Sequence, residues 1–153
     1  MMNARRAVLH TDDLGMSHGA NAAFAELSAF GTITAGSVMV PCPWFPDLAA
    51  MARADPTLDI GVHLTLTTKM PGCRWHPLTH PATSARLTDR AGYFHADVAT
   101  LRRHAAPAAV EAELRAQIDA ALAAGIDVTP LDDHMGAVLA PEFAEIHVRI
   151  AAD

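Results

Sequence analysis

Residues 7–17 have the sequence Ala7-Val-Leu-His-Thr-Asp-Asp-Leu-Gly-Met-Ser17, and this segment decides the fold. Its short apolar run, Ala7–Leu9, is typical of the end of a buried strand. Two adjacent carboxylates, Asp12 and Asp13, follow where the strand is expected to give way to a loop. Such a pair is costly at that position unless it binds a cation or exchanges protons. The pair indicates a site, with an N-cap aspartate beside a solvated loop aspartate as the plain alternative.

The composition is that of a globular protein, since 51% of the 153 residues are hydrophobic and 18% are charged. The net charge is −6 and there is no basic run, which argues against a nucleic-acid partner or an anionic membrane surface. The N-terminal apolar run is too short for a signal peptide, and no stretch approaches the ~20 residues that span a bilayer. Two cysteines without metal-type spacing favour a reduced, cytoplasmic protein.

The order of predicted elements indicates a parallel α/β fold. Apolar periodicity, capping residues and proline stops predict helices at 18–30, 45–54, 107–124 and from 141 onward, and strands at 7–9, 36–40, 59–67 and 127–133. Strands that alternate with helices in this way lie parallel and are joined by crossover helices. Residues 68–106 show no sustained period, so they predict a long loop with one short turn at 87–94.

Two of these helices have a predicted buried face. In the first it comprises Ala20, Ala23, Phe24, Leu27 and Phe30, and in the third Val110, Leu114, Ile118, Ala121 and Leu122. The chain stops at Asp153 in a helical pattern without a C-cap, after four strands. We therefore expect residues 1–153 to form a single α/β domain that is C-terminally incomplete.

Polar side chains stand at equivalent places along three strands. Asp13 ends the first strand, His63 lies in the third, and His134 follows the fourth. Because the ends of parallel strands converge on one face, these side chains are expected to meet. One carboxylate and two imidazoles suit Zn²⁺ or a similar divalent ion and leave a position open for water. Taken singly, each histidine could instead be a satisfied core residue or a helix cap.

Four segments resemble those of the YdjC-like carbohydrate deacetylases, in the order of that family. They are Val8-Leu-His-Thr-Asp-Asp-Leu-Gly-Met-Ser-His-Gly-Ala-Asn21, Gly36-Ser-Val-Met-Val-Pro41, Gly61-Val-His-Leu-Thr-Leu-Thr67 and Leu131-Asp-Asp-His-Met-Gly136. The resemblance implies a distorted (β/α) barrel with parallel strands, of which this chain covers the N-terminal part. It also implies metal-dependent removal of acetyl groups from N-acetylated sugars, and it allows a homodimer.

The resemblance assigns roles to four residues. Asp13, His63 and His134 match the metal ligands, and Asp12 matches the catalytic base. A divalent ion, with Mg²⁺ or Zn²⁺ favoured, would then activate the water that attacks the acetyl carbonyl. The chain departs from the family where Gly136 replaces a histidine. A C-terminal histidine that the family uses as general acid has no counterpart among residues 1–153.

Four further residues are candidates for supporting roles. Asp133 and His10 are expected to lie beside the metal ligands, with Asp133 orienting an imidazole. His10, where many family members have asparagine, is also within local reach to deliver a proton. Trp75 and Arg74 lie in the long loop, where the indole could stack on a sugar ring or simply pack.

Two other functions fit the same ligand set. A 2-His-1-carboxylate site is also typical of non-haem iron oxygenases, but Asp12 would then have no role. A metal-containing sugar-binding or regulatory module without turnover is the alternative outside the enzymes. A free carboxylate beside the metal favours catalysis, because binding alone needs no base.

Overall fold

The computed structural model describes residues 6–84 and 86–153. Its four strands form one parallel sheet in the order β1-β2-β3-β4, with β1 His10–Leu14, β2 Ala35–Val38, β3 Ile60–Leu64 and β4 Leu131–Asp133. The helices are α1 His18–Phe30, α2 Phe45–Ala54, α3 Pro81–Ser84, α4 Val98–His104, α5 Pro107–Ala123 and α6 Ala144–Ala152. A strand order that follows the chain, with helical crossovers between strands, is the arrangement of a (β/α) barrel, and the predicted fold class is confirmed.

Local signals set the bounds of the first two helices as predicted. Ser17 accepts a hydrogen bond from the backbone N–H of Ala20, so α1 begins at His18, and Gly31 ends it. A proline in the first turn and Asp55 after the last turn delimit α2. These signals are local in sequence, which is why the sequence alone locates them.

The start of β1 differs from the prediction. Residues 7–9 are not part of the strand, which begins at His10 and includes both Asp12 and Asp13. Leu9 pairs through its backbone with Thr34 and Ala35, but its side chain is 53% exposed. The apolar run lies at the edge of the sheet, where β2 is its one neighbouring strand in the described structure. Apolar side chains that would be buried in a central strand remain exposed at the edge of a sheet.

The predicted helix faces were only partly right. In α1 the buried residues are Asn21 and Phe24, while Leu27 and Phe30 are exposed. In α5 Leu122 is exposed, and Glu113 and Gln117 are completely buried instead. An apolar periodicity cannot identify a buried polar residue whose partners come from elsewhere in the chain.

The segment 68–106 was predicted to lack helices, and this was wrong. It contains α3 and α4, both too short to show a period. Asp97 caps α4 by accepting from the backbone N–H of Thr100 at 2.8 Å. The predicted short turn is present, closed by a bridge between Thr88 and Phe94.

Buried polar side chains of α5 fasten this segment to the sheet. Both carboxylate oxygens of Glu113 accept from residues 78 and 79, at 3.0 and 2.9 Å from their backbone nitrogens. Gln117, one turn later, bonds both backbone groups of Thr65, just past the end of β3. The long segment is therefore held at the carboxyl end of the strands, where ligands bind in this class of fold.

Packing between strands also requires glycine at one position. A Cβ on Gly61 of β3 would lie 2.1 Å from the carbonyl oxygen of Pro130. Only glycine allows the segment before β4 to approach β3 this closely. The approach brings β4 into register with β3, with His63 opposite Asp132.

Candidate metal centre

Asp13, His63 and His134 come together at the carboxyl ends of β1, β3 and β4. Asp13 Oδ1 lies 3.4 Å from His63 Nε2 and 3.2 Å from His134 Nδ1. Both imidazoles are 3% exposed. The three candidate ligand atoms lie within 4.8 Å of one another. The structure therefore brings together the three residues that the sequence predicted as one ligand set.

An irregular backbone places Asp13 in this cluster. Successive side chains of a strand point to opposite faces, so Asp12 and Asp13 would ordinarily diverge. The β1–β2 register shifts between Thr11 and Leu14, and Asp13 has a φ of 61°. A non-glycine residue in this left-handed region is strained and has to be held by its surroundings.

Gly15 and Asn21 hold this turn. Gly15 has a φ of 80°, and a Cβ there would lie 2.9 Å from a methyl group of Val38. The buried side chain of Asn21 accepts from the Gly15 backbone N–H at 2.8 Å. Its amide nitrogen donates to the Trp44 carbonyl and to Asp47. The first helix thus fixes the segment that carries Asp13 through one fully bonded asparagine.

His63 is oriented from the opposite side of its ring by Asp132. Asp132 Oδ1 lies 2.9 Å from His63 Nδ1, and Asp132 Oδ2 accepts from the Ser37 hydroxyl at 2.8 Å. With Nδ1 bonded to a carboxylate, Nε2 is left facing Asp13. Burial alone would lower the pKa of His63, but the carboxylates of Asp13 and Asp132 outweigh it and raise the pKa to about 9.

His134 is placed by a second strained turn. It opens a 3₁₀ turn, His134–Gly136, in which Met135 has a φ of 62°. Met135 and Asp13 are the two non-glycine residues with positive φ in the described ranges. Asp13 is itself a candidate ligand, and Met135 directly follows the candidate ligand His134. Strained backbone of this kind concentrates at functional sites. Trp75 packs edge-on against the His134 ring, with 6.3 Å between centroids.

A second polar group, formed by His10, Asp12 and Asp132, adjoins the first. His10 Nε2 lies 3.0 Å from the Ser37 hydroxyl, 3.1 Å from Asp132 Oδ2 and 3.5 Å from Asp12 Oδ1. The side chain of Asp12 is 62% exposed. Asp132 therefore joins the two groups, since it belongs to the second and bonds His63 of the first. Asp12 remains accessible to a ligand from solvent.

The remaining predicted site residues lie in other environments. Both carboxylate oxygens of Asp133 are 3.1 Å from the Val138 backbone nitrogen, and burial raises the pKa of Asp133. The carboxylate beside an imidazole is thus Asp132 and not the predicted Asp133. Trp75 is 3% exposed and donates to the Thr67 carbonyl, which favours the packing alternative. Arg74 pairs with Asp89 and lies over the Tyr93 ring.

The geometry of the first group fits a divalent metal. Two ring nitrogens face the buried Asp13 Oδ1, but neither is aligned to donate a hydrogen bond to it. His134 Nε2 is also buried and has no hydrogen-bond partner among the described residues. His134, and then His63, hold the pKa of Asp13 well below its usual range, against the opposing effect of burial. A carboxylate kept ionised beside two imidazoles is a donor set that divalent ions use.

Sequence reasoning missed three residues of this site. Asp132, Ser37 and Asn21 were assigned no role at the site. The signals were present: Asp132 lies directly opposite His63 once β3 and β4 are paired, and Ser37 is the polar residue inside an apolar strand. Asn21 interrupts the apolar face of α1 where it meets the sheet. Each role depends on a partner from another element.

Comparisons with known proteins identify the family of this chain. Residues 6–153 match the family model of the YdjC-like proteins. A carbohydrate deacetylase of Thermus thermophilus is 43% identical over 147 residues, and one of Brevibacillus brevis is 31% identical over 148 residues. These matches cover 96% and 97% of this chain but 50% and 56% of the relatives, so the chain spans about half the length of the curated relatives it matches.

A crystal structure from Enterococcus faecalis V583, provisionally described as a cellobiose-phosphate cleavage protein, superposes with a TM-score of 0.85 at 25% identity. The superposition covers 95% of this chain and 54% of that one. Sequence and fold therefore point the same way, and the chain belongs to the YdjC-like protein family.

Proposed function

We propose that this chain carries the metal ligands and the base of a carbohydrate deacetylase, which removes acetyl groups from N-acetylated sugars. The convergence of Asp13, His63 and His134 within 4.8 Å is the observation that carries the proposal. The names of the two bacterial relatives support the reaction class. Mg²⁺ and Zn²⁺ are the ions proposed for the site.

The three ligand residues would hold the metal, which when bound supplies a polarised water and a positive charge for the developing oxyanion. Asp132 keeps His63 in the orientation that presents Nε2 to the site. Ser37 links Asp132 to His10, so the orienting carboxylate is itself held by two donors.

Asp12 is the proposed base. It lies outside the ligand cluster, its carboxylate is accessible, and His10 Nε2 lies 3.5 Å from one of its oxygens. A carboxylate that is next to the metal ligands but free of the metal can take the proton of the attacking water. His10 is placed to stabilise that carboxylate, and it is the candidate in the described structure for passing a proton onward.

The cellular location and the binding partner are also proposed. A cytoplasmic location rests on cysteine usage, and Cys42 and Cys73 are both free thiols. A sugar partner rests on the relatives named above. Within the described ranges, no helix has the length and apolar character needed to cross a membrane.

Acetate release from N,N′-diacetylchitobiose tests the function, measured with and without EDTA. We expect release that EDTA abolishes and that Asp12→Asn lowers by at least about 100-fold, since one acid–base group contributes 10²–10⁴-fold. Asp119→Asn, which changes an exposed aspartate on α5, is the matched control and should retain activity. Unchanged activity in Asp12→Asn would refute the assignment of the base. Metal binding without acetate release would favour a sugar-binding module.

A further inference from the structure

A basic cavity lies in the long segment after β3, apart from the residues of the metal centre. It has a volume of about 290 Å³ and is lined by Arg86, Thr88, His95, Arg103 and His104. Two of these residues, Arg103 and His104, end α4, and the other three come from the segment before it. The rings of His95 and His104 lie 5.2 Å apart. Basic groups from two parts of the chain therefore converge on one cavity.

Carboxylates lie near this cavity but form no ion pairs with its guanidinium groups in the described structure. Asp97 attracts Arg103, and Asp89 and Asp97 attract His95. Among the described residues, neither Arg86 nor Arg103 has a carboxylate at ion-pair distance, whereas four other arginines of the chain form ion pairs. Arg103 donates to the Thr100 hydroxyl, which is a neutral partner. The dipole of α4 favours cations at its C-terminus, but it gives no reason for Arg86 or His95 to face the same space.

Nearby carboxylates are engaged elsewhere. Asp89 pairs with Arg74 and accepts from the backbone of residues 91 and 93. Asp97 caps α4 and accepts from the Thr100 side chain. Both carboxylates therefore have partners of their own, and the Thr100 hydroxyl lies between Arg103 and Asp97, bonded to both. The guanidinium groups that line the cavity keep further donors for a ligand.

One lining atom also lacks a partner. His95 Nε2 is buried and has no hydrogen-bond partner among the described residues. Burial lowers the pKa of His95, although hydrogen bonding with the Arg86 backbone opposes this effect, so the ring adds a polar wall to the cavity and not a fixed positive charge. Thr88 adds a hydroxyl donor to the same wall.

We propose that this basic cavity binds a phosphate group, either as free phosphate or as part of a larger ligand. Two guanidinium groups match a dianion in charge, and their planar donors suit its tetrahedral oxygens. The hydroxyl of Thr88 and the imidazoles supply further donors in a volume that a phosphate group does not fill, which leaves room for a substituent.

Titration of the ¹⁵N-labelled protein with inorganic phosphate at constant ionic strength tests the proposal by NMR. Saturable shifts are expected at Arg86, Thr88, His95, Arg103 and His104. The dissociation constant should rise at least about tenfold in Arg103→Gln and in Arg86→Gln, because each removes charge-assisted hydrogen bonds. Arg90→Gln changes an exposed arginine that does not line the cavity, and it should bind phosphate as the parent does.

Three results would overturn the proposal: shifts that never saturate, equal affinity in both arginine variants and the parent, or shifts confined to the metal ligands. A second titration with glycerol phosphate separates the two sources of the group. Equal affinity for both probes would show a site for the anion alone. Tighter binding of the monoester would show a site for a phosphorylated ligand.

Discussion

Replacement of Asp132 by asparagine should weaken metal binding although Asp132 is not a ligand. One of its oxygens lies 2.9 Å from His63 Nδ1, and the other accepts from Ser37 and lies 3.1 Å from His10 Nε2. Asparagine keeps the shape but is uncharged, and its one oxygen can face either His63 Nδ1 or the side of Ser37 and His10. His63 then loses either the acceptor that holds its ring or the negative charge of that acceptor, and both changes weaken its orientation toward the site.

The expected loss is about 10- to 100-fold in metal affinity, the usual effect of removing a carboxylate that orients a ligand histidine. This corresponds to about 1.4 to 2.7 kcal/mol of binding free energy. Competition with a chromophoric zinc chelator measures it directly. Circular dichroism of the metal-free variant checks that the fold is retained.

Asp133→Asn is the matched control, because that carboxylate bonds the backbone of Val138 and no imidazole nitrogen. It should bind zinc within about threefold of the parent, since no partner of a ligand is lost. The reasoning would be refuted if Asp132→Asn bound zinc as tightly as the parent. It would also be refuted if Asp133→Asn were the weaker of the two.

Three further predictions concern stability. Asn21→Ala removes the acceptor of the buried Gly15 backbone N–H in the turn after Asp13. It should therefore lower the free energy of unfolding, measured by urea titration, by about 1–3 kcal/mol. An unchanged free energy of unfolding would contradict this role of Asn21. Gly61→Ala should lower the free energy of unfolding by about 3 kcal/mol or more in the same assay, because the added Cβ would lie 2.1 Å from a backbone oxygen. The control Gly72→Ala should leave it unchanged, because a Cβ there has no neighbouring atom within 4 Å. In EDTA, the raised pKa of His63 predicts stabilisation that is present below pH 6.5 and lost as the pH rises through about 9. The difference in unfolding free energy between the parent and His63→Gln should therefore shrink from pH 6.5 to pH 9.5, and a constant difference would contradict it.

The parts of the fold that the sequence predicted correctly depend on neighbouring residues. Ser17 and Gly31 delimit α1 because a cap bonds the turn next to it. The proximity of Asp13, His63 and His134 has a different basis, because parallel strands bring their carboxyl ends together whatever the separation in sequence. Their role as metal ligands stays a prediction. Predicting that His63 and His134 meet required no knowledge of register, only that His63 lies near the end of β3 and that His134 follows β4.

The incorrect parts depend on partners distant in sequence. Residues 7–9 have the pattern of a buried strand, but burial depends on what lies beyond the edge of the sheet. The choice between Asp132 and Asp133 depends on a register that sets His63 opposite Asp132 and on the 3₁₀ turn that directs Asp133 to Val138. Two adjacent aspartates cannot be distinguished until that pairing is known.

The proposed function depends on the binding of one divalent ion by Asp13, His63 and His134. Titration of the EDTA-treated protein with Zn²⁺ by calorimetry, for the parent, Asp13→Asn, His134→Gln and the control His80→Gln, tests it most directly. We expect about one equivalent of tightly bound zinc in the parent and in the control, and a loss of tight binding in both ligand variants. Full zinc binding in Asp13→Asn and His134→Gln would contradict it.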